Sequence, residues 1–287
     1  MNNIKYLIQF LIVCLLFLIF RVLGLKYSTI LSGNLFTLFG PFFRSQQISK
    51  SNLTKAFPSI DDNQKDIIIK GMWYNYGKIF AEYIFIKNFR NSEKFSDKII
   101  LENQNHLKKI KESNKPVIFV SGHFNNFELM AMCIEKSGID LSAIYRPLNN
   151  KFLNPIMEKI RKEYICKKQI KKGISGTKEL LKCFKEGTSI ALMIDQRVSE
   201  GIESNFFNNK ALTTTIPAQF VKKFDANIVP IYIERLVNDK FKLKIHDPIK
   251  FSKEDTIESI TTELNKVLEL MIIKNPDQWI WTHNRWK

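Results

Sequence analysis

Apolar residues are grouped along this chain in three ways, and each grouping predicts a different element. Residues 4–25, IKYLIQFLIVCLLFLIFRVLGL, carry an apolar run from Tyr6 to Phe20 broken only by Gln9. A helix that crosses a bilayer needs about 20 such residues, so this run is close to the minimum. Residues 64–87, QKDIIIKGMWYNYGKIFAEYIFIK, have helical periodicity instead, with Trp73, Tyr76, Phe80 and Tyr83 along one side. A stripe of that kind is the core face of a helix. From residue 116 onward, short apolar runs alternate with amphipathic ones. Strands are expected at 116–120, 141–147, 188–195, 227–235 and 240–247. Helices are expected at 128–138, 154–164, 175–187, 215–226 and 253–275. Gly138 and Gly187 close two of these helices, Pro155 lies near the start of another, and Pro147 stops a strand. Alternation of strand and helix marks an α/β fold with a mostly parallel central sheet flanked by helices.

No low-complexity linker and no internal repeat divides the chain. The expected organisation is an N-terminal membrane-anchor helix at 1–25 followed by one domain at 26–287. A cleaved signal peptide fits the first segment less well, because no A-x-A-like site follows and Lys5 is its only basic leader residue. An interfacial helix is the other alternative. Cations gather on the far side of the run, at Arg21, Lys26, Arg44, Lys50 and Lys55. The positive-inside rule therefore puts the domain in the cytoplasm. A second apolar stretch, LFTLFGPFF (35–43), is too short to span, and either lies on the bilayer surface or closes over the core.

Composition narrows the function classes. At 45% hydrophobic and 25% charged residues, the 287-residue chain can bury a sizeable core. A mean hydropathy of −0.15 excludes a multi-span membrane protein. The net charge of +16 reflects either an acidic partner (nucleic acid, anionic lipid or an acidic protein) or a mutational bias, since Lys, Asn, Ile and Phe are abundant throughout. No short run is basic enough for a nucleic-acid stripe and no such signature is present, so nucleic acid drops out. Cys14, Cys133, Cys166 and Cys183 are widely spaced, which reads as free thiols in a reducing compartment.

The chemistry centres on SGHFNNFELM (121–130), directly after an expected strand. Ligands of α/β sheets bind beyond the carboxyl ends of strands. His123 lies two residues past one strand, and Asp195 ends another. With Asn125 as N-cap, Glu128 would fall at capping-box spacing. Were His123 and Glu128 both inside one helix, five positions would separate them by about 140°. With His123 in the loop and Glu128 in the first turn, the chain can bring carboxylate to imidazole. Such a pair does general-base chemistry, with the carboxylate fixing the tautomer and stabilising the imidazolium. The adjacent helix N-terminus would offer N–H groups to a developing oxyanion. G-x-S-x-G, P-loop, G-x-G-x-x-G and H-E-x-x-H are all absent, and His106, His246 and His283 have no metal-ligand spacing with His123. No metal and no cofactor is expected.

SGHFNNFE resembles the H-x4-D/E motif of the lipid A biosynthesis acyltransferases, the lauroyl and myristoyl transferases of Gram-negative inner membranes. Four more segments agree in order: AIYRPLNN (143–150), ALMIDQR (191–197), residues 206–235, and NPDQWIWTHNRWK (275–287). The resemblance implies a glycerophosphate-acyltransferase-like α/β fold anchored in the inner membrane. It implies transfer of an acyl chain from acyl carrier protein or coenzyme A to a hydroxyl of a lipid A precursor, with His123 and Glu128 as the catalytic dyad. On the same footing, Arg161, Asp195, Gln196, Arg146 and Thr214 are candidates for substrate binding. Arg161 would hold a phosphate, Asp195 would orient Arg161 or a substrate hydroxyl, and Arg146 would meet an anionic headgroup. Acidic acyl carrier protein and anionic lipid then become the partners of the basic surface. Two readings compete with this one. One is an acyltransferase of the same superfamily with another glycolipid or aminolipid acceptor; the other is a non-catalytic, membrane-anchored basic binding protein. Arg197 departs from the family, which commonly has an acidic residue or glycine there, and this bears on acceptor and chain length.

Overall fold

The computed structural model describes residues 2–287. Its first part is helical: α1 (Asn2–Phe43), α2 (Gln46–Ala56), α3 (Asp62–Glu82), α4 (Ile86–Asn91) and α5 (Glu93–Ser96). Then come β1 (Ile99–Glu102), α6 (Asn105–Ser113), β2 (Ile118–Ser121), α7 (Glu128–Lys136), β3 (Leu141–Tyr145) and α8 (Leu153–Ile160). These are followed by β4 (Lys168–Lys171), α9 (Ile174–Lys185), β5 (Ser189–Met193), β6 (Ile202–Phe206) and β7 (Asn209–Thr213). The chain finishes with α10 (Ile216–Phe224), β8 (Ile228–Arg235), β9 (Phe241–Ile245) and α11 (Ile257–Lys274).

Seven strands form one sheet in the order β1-β9-β8-β2-β5-β3-β4, in which only β8 and β9 pair antiparallel. This is the mostly parallel α/β sheet that the alternating pattern predicts. The central strand β2 is buried along its whole length, as a parallel strand covered by helices on both faces must be. Each expected strand and helix from 116 onward is present, with ends moved by a few residues. Short strands β1 and β4 on the two edges, and the β6–β7 hairpin, are additions. The hairpin turns at Phe207 and Asn208, both with positive φ (49° and 57°), the geometry of a two-residue type I′ turn.

Helix α1 is two helical stretches meeting at Gly24, whose φ of 71° and ψ of 171° are non-helical. Beyond this break it packs on α3 at three glycines. A side chain at Gly33 would run into the Tyr74 ring, one at Gly40 into Trp73, and one at Gly77 into the backbone of Ser32. Residues 35–43 thus close over the α3 face with one side, while Phe42 and Phe43 stay exposed. At the other end of the chain Trp279 and Trp281 are buried in the core, ring against ring at 4.7 Å.

Candidate active site

The parallel register of β2 and β5 builds the site. Ser121 pairs with Met193, so the residues two places beyond each strand, His123 and Asp195, emerge side by side. His123 Nδ1 lies 2.8 Å from Asp195 Oδ1, and the backbone N–H of His123 donates to Asp195 Oδ2 at 2.7 Å. Trp279 Nε1 also donates to Asp195 Oδ2, at 2.8 Å. Gly122 makes this approach possible, because a Cβ there would meet the Phe124 ring and an Asp195 oxygen at 2.9 and 3.1 Å. Asp195 is fully buried, whereas the His123 side chain keeps 22% of its surface. Its Nε2 has no protein hydrogen-bond partner among the described residues. Phe127 packs edge-on against the imidazole at 4.9 Å.

Burial works against the imidazolium, but the charge and hydrogen bond of Asp195 outweigh it and raise the pKa of His123 above 6.5. Glu128 adds to that rise through its charge, and Arg161 opposes it. Burial likewise disfavours the Asp195 anion, yet His123, its N–H and Trp279 hold the carboxyl at about 2. Asp195 is therefore held towards its charged form against the imidazole, fixed in direction by three donors.

The expected hydrogen bond between Glu128 and His123 is not formed. Glu128 Oε1 accepts from Arg161 Nε at 2.9 Å and its NH2 at 2.7 Å, and from the Tyr83 hydroxyl at 2.7 Å. The guanidinium lies over the Tyr145 ring, 5.7 Å from its centre. Burial opposes the Arg161 charge, but Glu128 more than compensates and raises its pKa. The carboxylate is thus occupied by a cation and a phenol, and Asp195 takes the imidazole instead of orienting Arg161. The capping box is absent too: α7 begins at Glu128, and Asn125, with φ 45°, accepts from its neighbour Asn126. Backbone N–H groups of residues 123–127, 129 and 130 are all bonded within the protein, so they are not free for an oxyanion.

Behind the loop lies a second buried network that sequence reasoning missed. Glu82 pairs with Arg235 and accepts from Asn126 Nδ2 at 2.9 Å. Gln278 holds Asn125 through its backbone carbonyl and its side chain, at 2.9 and 2.8 Å. Tyr83, Trp279 and Gln278 were legible only as an apolar stripe and a C-terminal block, with nothing in their spacing to point at His123. The remaining candidates are not brought into hydrogen-bond contact with His123 or Asp195 among the described residues. Arg146 is exposed beyond β3 and has no ion-pair partner among the described residues, and Gln196 is half-buried. Thr214 Oγ1 accepts from Ile216 N at 3.4 Å just before α10, a local turn contact of the hydroxyl. Arg197 donates its backbone N–H to His283 Nε2 at 2.9 Å and its Nε to the Lys287 carbonyl at 3.1 Å.

A family model described as bacterial lipid A biosynthesis acyltransferase matches residues 1–287. The chain belongs to that family. This acyltransferase is 22% identical to lipid A biosynthesis acyltransferase 2 of Shigella flexneri, over 80% of its own length and 74% of the relative's. It is 22% identical to the lipid A biosynthesis palmitoleoyltransferase of Escherichia coli K12, covering 86% and 80%. Identity to the lauroyltransferase of the same organism is 23%, covering 85% and 79%. The acyltransferase is thus about equally distant from relatives named for different acyl chains.

Proposed function

We propose that this acyltransferase moves a fatty acyl chain from acyl carrier protein, or coenzyme A, to a hydroxyl of a lipid A precursor, with His123 as general base. The observation that carries the reading is the His123–Asp195 pair, which directs a free Nε2 outward from the end of the central strand. Nε2 takes the proton of the acceptor hydroxyl while its oxygen attacks the thioester carbonyl. Asp195 holds the tautomer and stabilises the imidazolium. The proton then passes to the departing thiolate, so the imidazole is regenerated and no enzyme nucleophile is consumed. Glu128, fixed by Arg161 and Tyr83, adds a second negative charge near the ring. Arg161 in turn is a cation whose charge acts on His123. Arg146, Gln196 and Thr214 are assigned to the acceptor, Arg146 against a phosphate. The basic surface suits the acidic carrier protein and the anionic face of the membrane, on whose cytoplasmic side the catalytic domain sits.

The test is product identification. The purified full chain is incubated with acyl carrier proteins of graded chain length and a panel of lipid acceptors, and products are read by mass spectrometry. A lipid A precursor gaining one acyl chain is the expected result. Acylation of a different glycolipid or an aminolipid alone would redirect the acceptor while keeping the chemistry. Absence of any acylated product would contradict the proposal.

A further inference from the structure

In the proposed reaction, negative charge develops on the thioester carbonyl oxygen, and a placed donor must meet it. Several donors around His123 are already engaged. Backbone N–H groups of the 123–127 loop are bonded within the protein, Trp279 Nε1 serves Asp195, and the Tyr83 hydroxyl serves Glu128. The ring of His283 offers a donor that is not.

The C-terminal arm, residues 275–287, carries this ring to the strand ends. Trp279 reaches Asp195, and Asn52 Nδ2 donates to the carbonyls of Trp281 and His283 at 2.9 and 2.7 Å. Two residues on, the buried Arg285 donates to the Leu212 carbonyl and to Thr213 Oγ1, both at 2.6 Å. The backbone is therefore fixed on both sides of His283. Its Nε2 accepts from the N–H of Arg197 at 2.9 Å, two residues beyond the Asp195 that holds His123. A backbone N–H only donates, so a ring bonded in this way carries its proton on Nδ1. An imidazolium would set one N–H against another and lose the bond. Burial lowers the His283 pKa below 6.5; Asp195 opposes this, while Arg285, His123 and Lys172 reinforce it. The ring thus stands within electrostatic reach of both members of the His123–Asp195 pair, neutral and in one tautomer. His283 is half-buried, and its Nδ1 has no hydrogen-bond partner among the described residues and stays open to solvent.

We propose that His283 Nδ1–H donates to the thioester carbonyl oxygen and stabilises the oxyanion as the acceptor hydroxyl attacks. This rests on the reading of His123 as general base. The acceptor oxygen bonds to the thioester carbon and gives its proton to His123 Nε2, while the carbonyl π pair moves onto oxygen. His283 keeps its own proton and contributes only the hydrogen bond. When the pair returns, the carbon–sulfur bond breaks and the thiolate takes the proton from His123. Arg197 then acts through its backbone, fixing the His283 tautomer whatever its side chain meets.

The experiment separates the two ring nitrogens. A Gln amide can set its oxygen at the place of Nε2, and an Asn amide can set its nitrogen at the place of Nδ1. His283→Gln therefore keeps the acceptor for Arg197 and removes the donor, and His283→Asn does the reverse. Turnover of the full chain is measured with acyl carrier protein as donor and a lipid A precursor as acceptor, with melting temperatures on each variant. His283→Gln is expected to lose about 100- to 1,000-fold in kcat with KM nearly unchanged, the effect of removing one oxyanion donor. His283→Asn should turn over faster than His283→Gln while melting lower. A donor with sulfur in place of the carbonyl oxygen accepts hydrogen bonds more weakly, so the loss in His283→Gln should shrink on this dithioester. A defect of folding would slow both donors alike. Wild-type turnover in His283→Gln, or equal losses on thioester and dithioester, would overturn the proposal. His123→Ala is run alongside. Wild-type turnover there sinks the general-base reading itself, whereas a full loss there beside an active His283→Gln sinks the oxyanion assignment alone.

Discussion

Asp195 and Glu128 both lie close enough to His123 to act on its charge, yet only Asp195 is hydrogen-bonded to it. The difference traces to two residues that occupy Glu128, Arg161 and Tyr83. Asp195→Asn keeps the shape but removes the charge that stabilises the imidazolium. Turnover is expected to fall at least about 100-fold, the lower bound for losing positioned general-base catalysis. The acidic limb of the pH–rate profile tests this further. With His123 as the proposed general base, its neutral form is the active one, so wild-type activity should rise with pH through a value above 6.5. Asp195→Asn should move that limb down, and Glu128→Gln should move it less. A larger shift with Glu128→Gln would return the orienting role to Glu128. Stability follows the same pair with the sign reversed on the histidine side. The Asp195 contribution is present above 3.8 and lost as pH falls towards about 2. That of His123 is complete below 6.5 and lost as pH rises through its raised folded pKa. The melting temperature should therefore be highest between these limits. His123 and Asp195 were each legible in the sequence as residues beyond strand ends. Their pairing was not, because it depends on which strands are neighbours, and β2 and β5 are far apart in the chain.

At the scale of elements, α3 read in the sequence as one apolar stripe, and most of that reading is right. Trp73 meets α1 at Gly40, and Phe80 receives Phe17, Phe20 and Phe36. Tyr83 continues the stripe in spacing but spends its hydroxyl on Glu128, a use that periodicity alone does not reveal. Edge strands β1 and β4 escaped notice because four residues with charged or exposed positions carry too little pattern. Glycines 33, 40 and 77 were equally silent, since close helix approach is a property of two elements and not of one. Gly77→Ala puts a Cβ 2.2 Å from the Ser32 carbonyl oxygen. Overpacking of this kind costs about 1–3 kcal/mol, and each kcal/mol lowers the melting temperature of a domain this size by about 2–4 °C. Calorimetry on the full chain is expected to register that fall. An unchanged melting temperature would mean that α1 and α3 do not pack as described.

For the whole molecule, a single mostly parallel sheet puts the candidate site at the carboxyl ends of its strands, and one long apolar helix adjoins it. The α/β class was legible because alternating buried strands and amphipathic helices leave a strong pattern over the 170 or so residues from 116 onward. How the first helix lies against the domain was not, since a run of apolar residues has the same sequence whatever it packs against. The claim on which the rest depends is that this fold acylates a lipid with His123 as its base. It is tested most directly by the turnover of His123→Ala against wild type, with acyl carrier protein as donor, a lipid A precursor as acceptor, and melting temperatures measured on both. The expected result is a loss of about 10²–10⁴-fold in turnover with the fold retained. A His123→Ala protein that turns over at the wild-type rate would contradict the account.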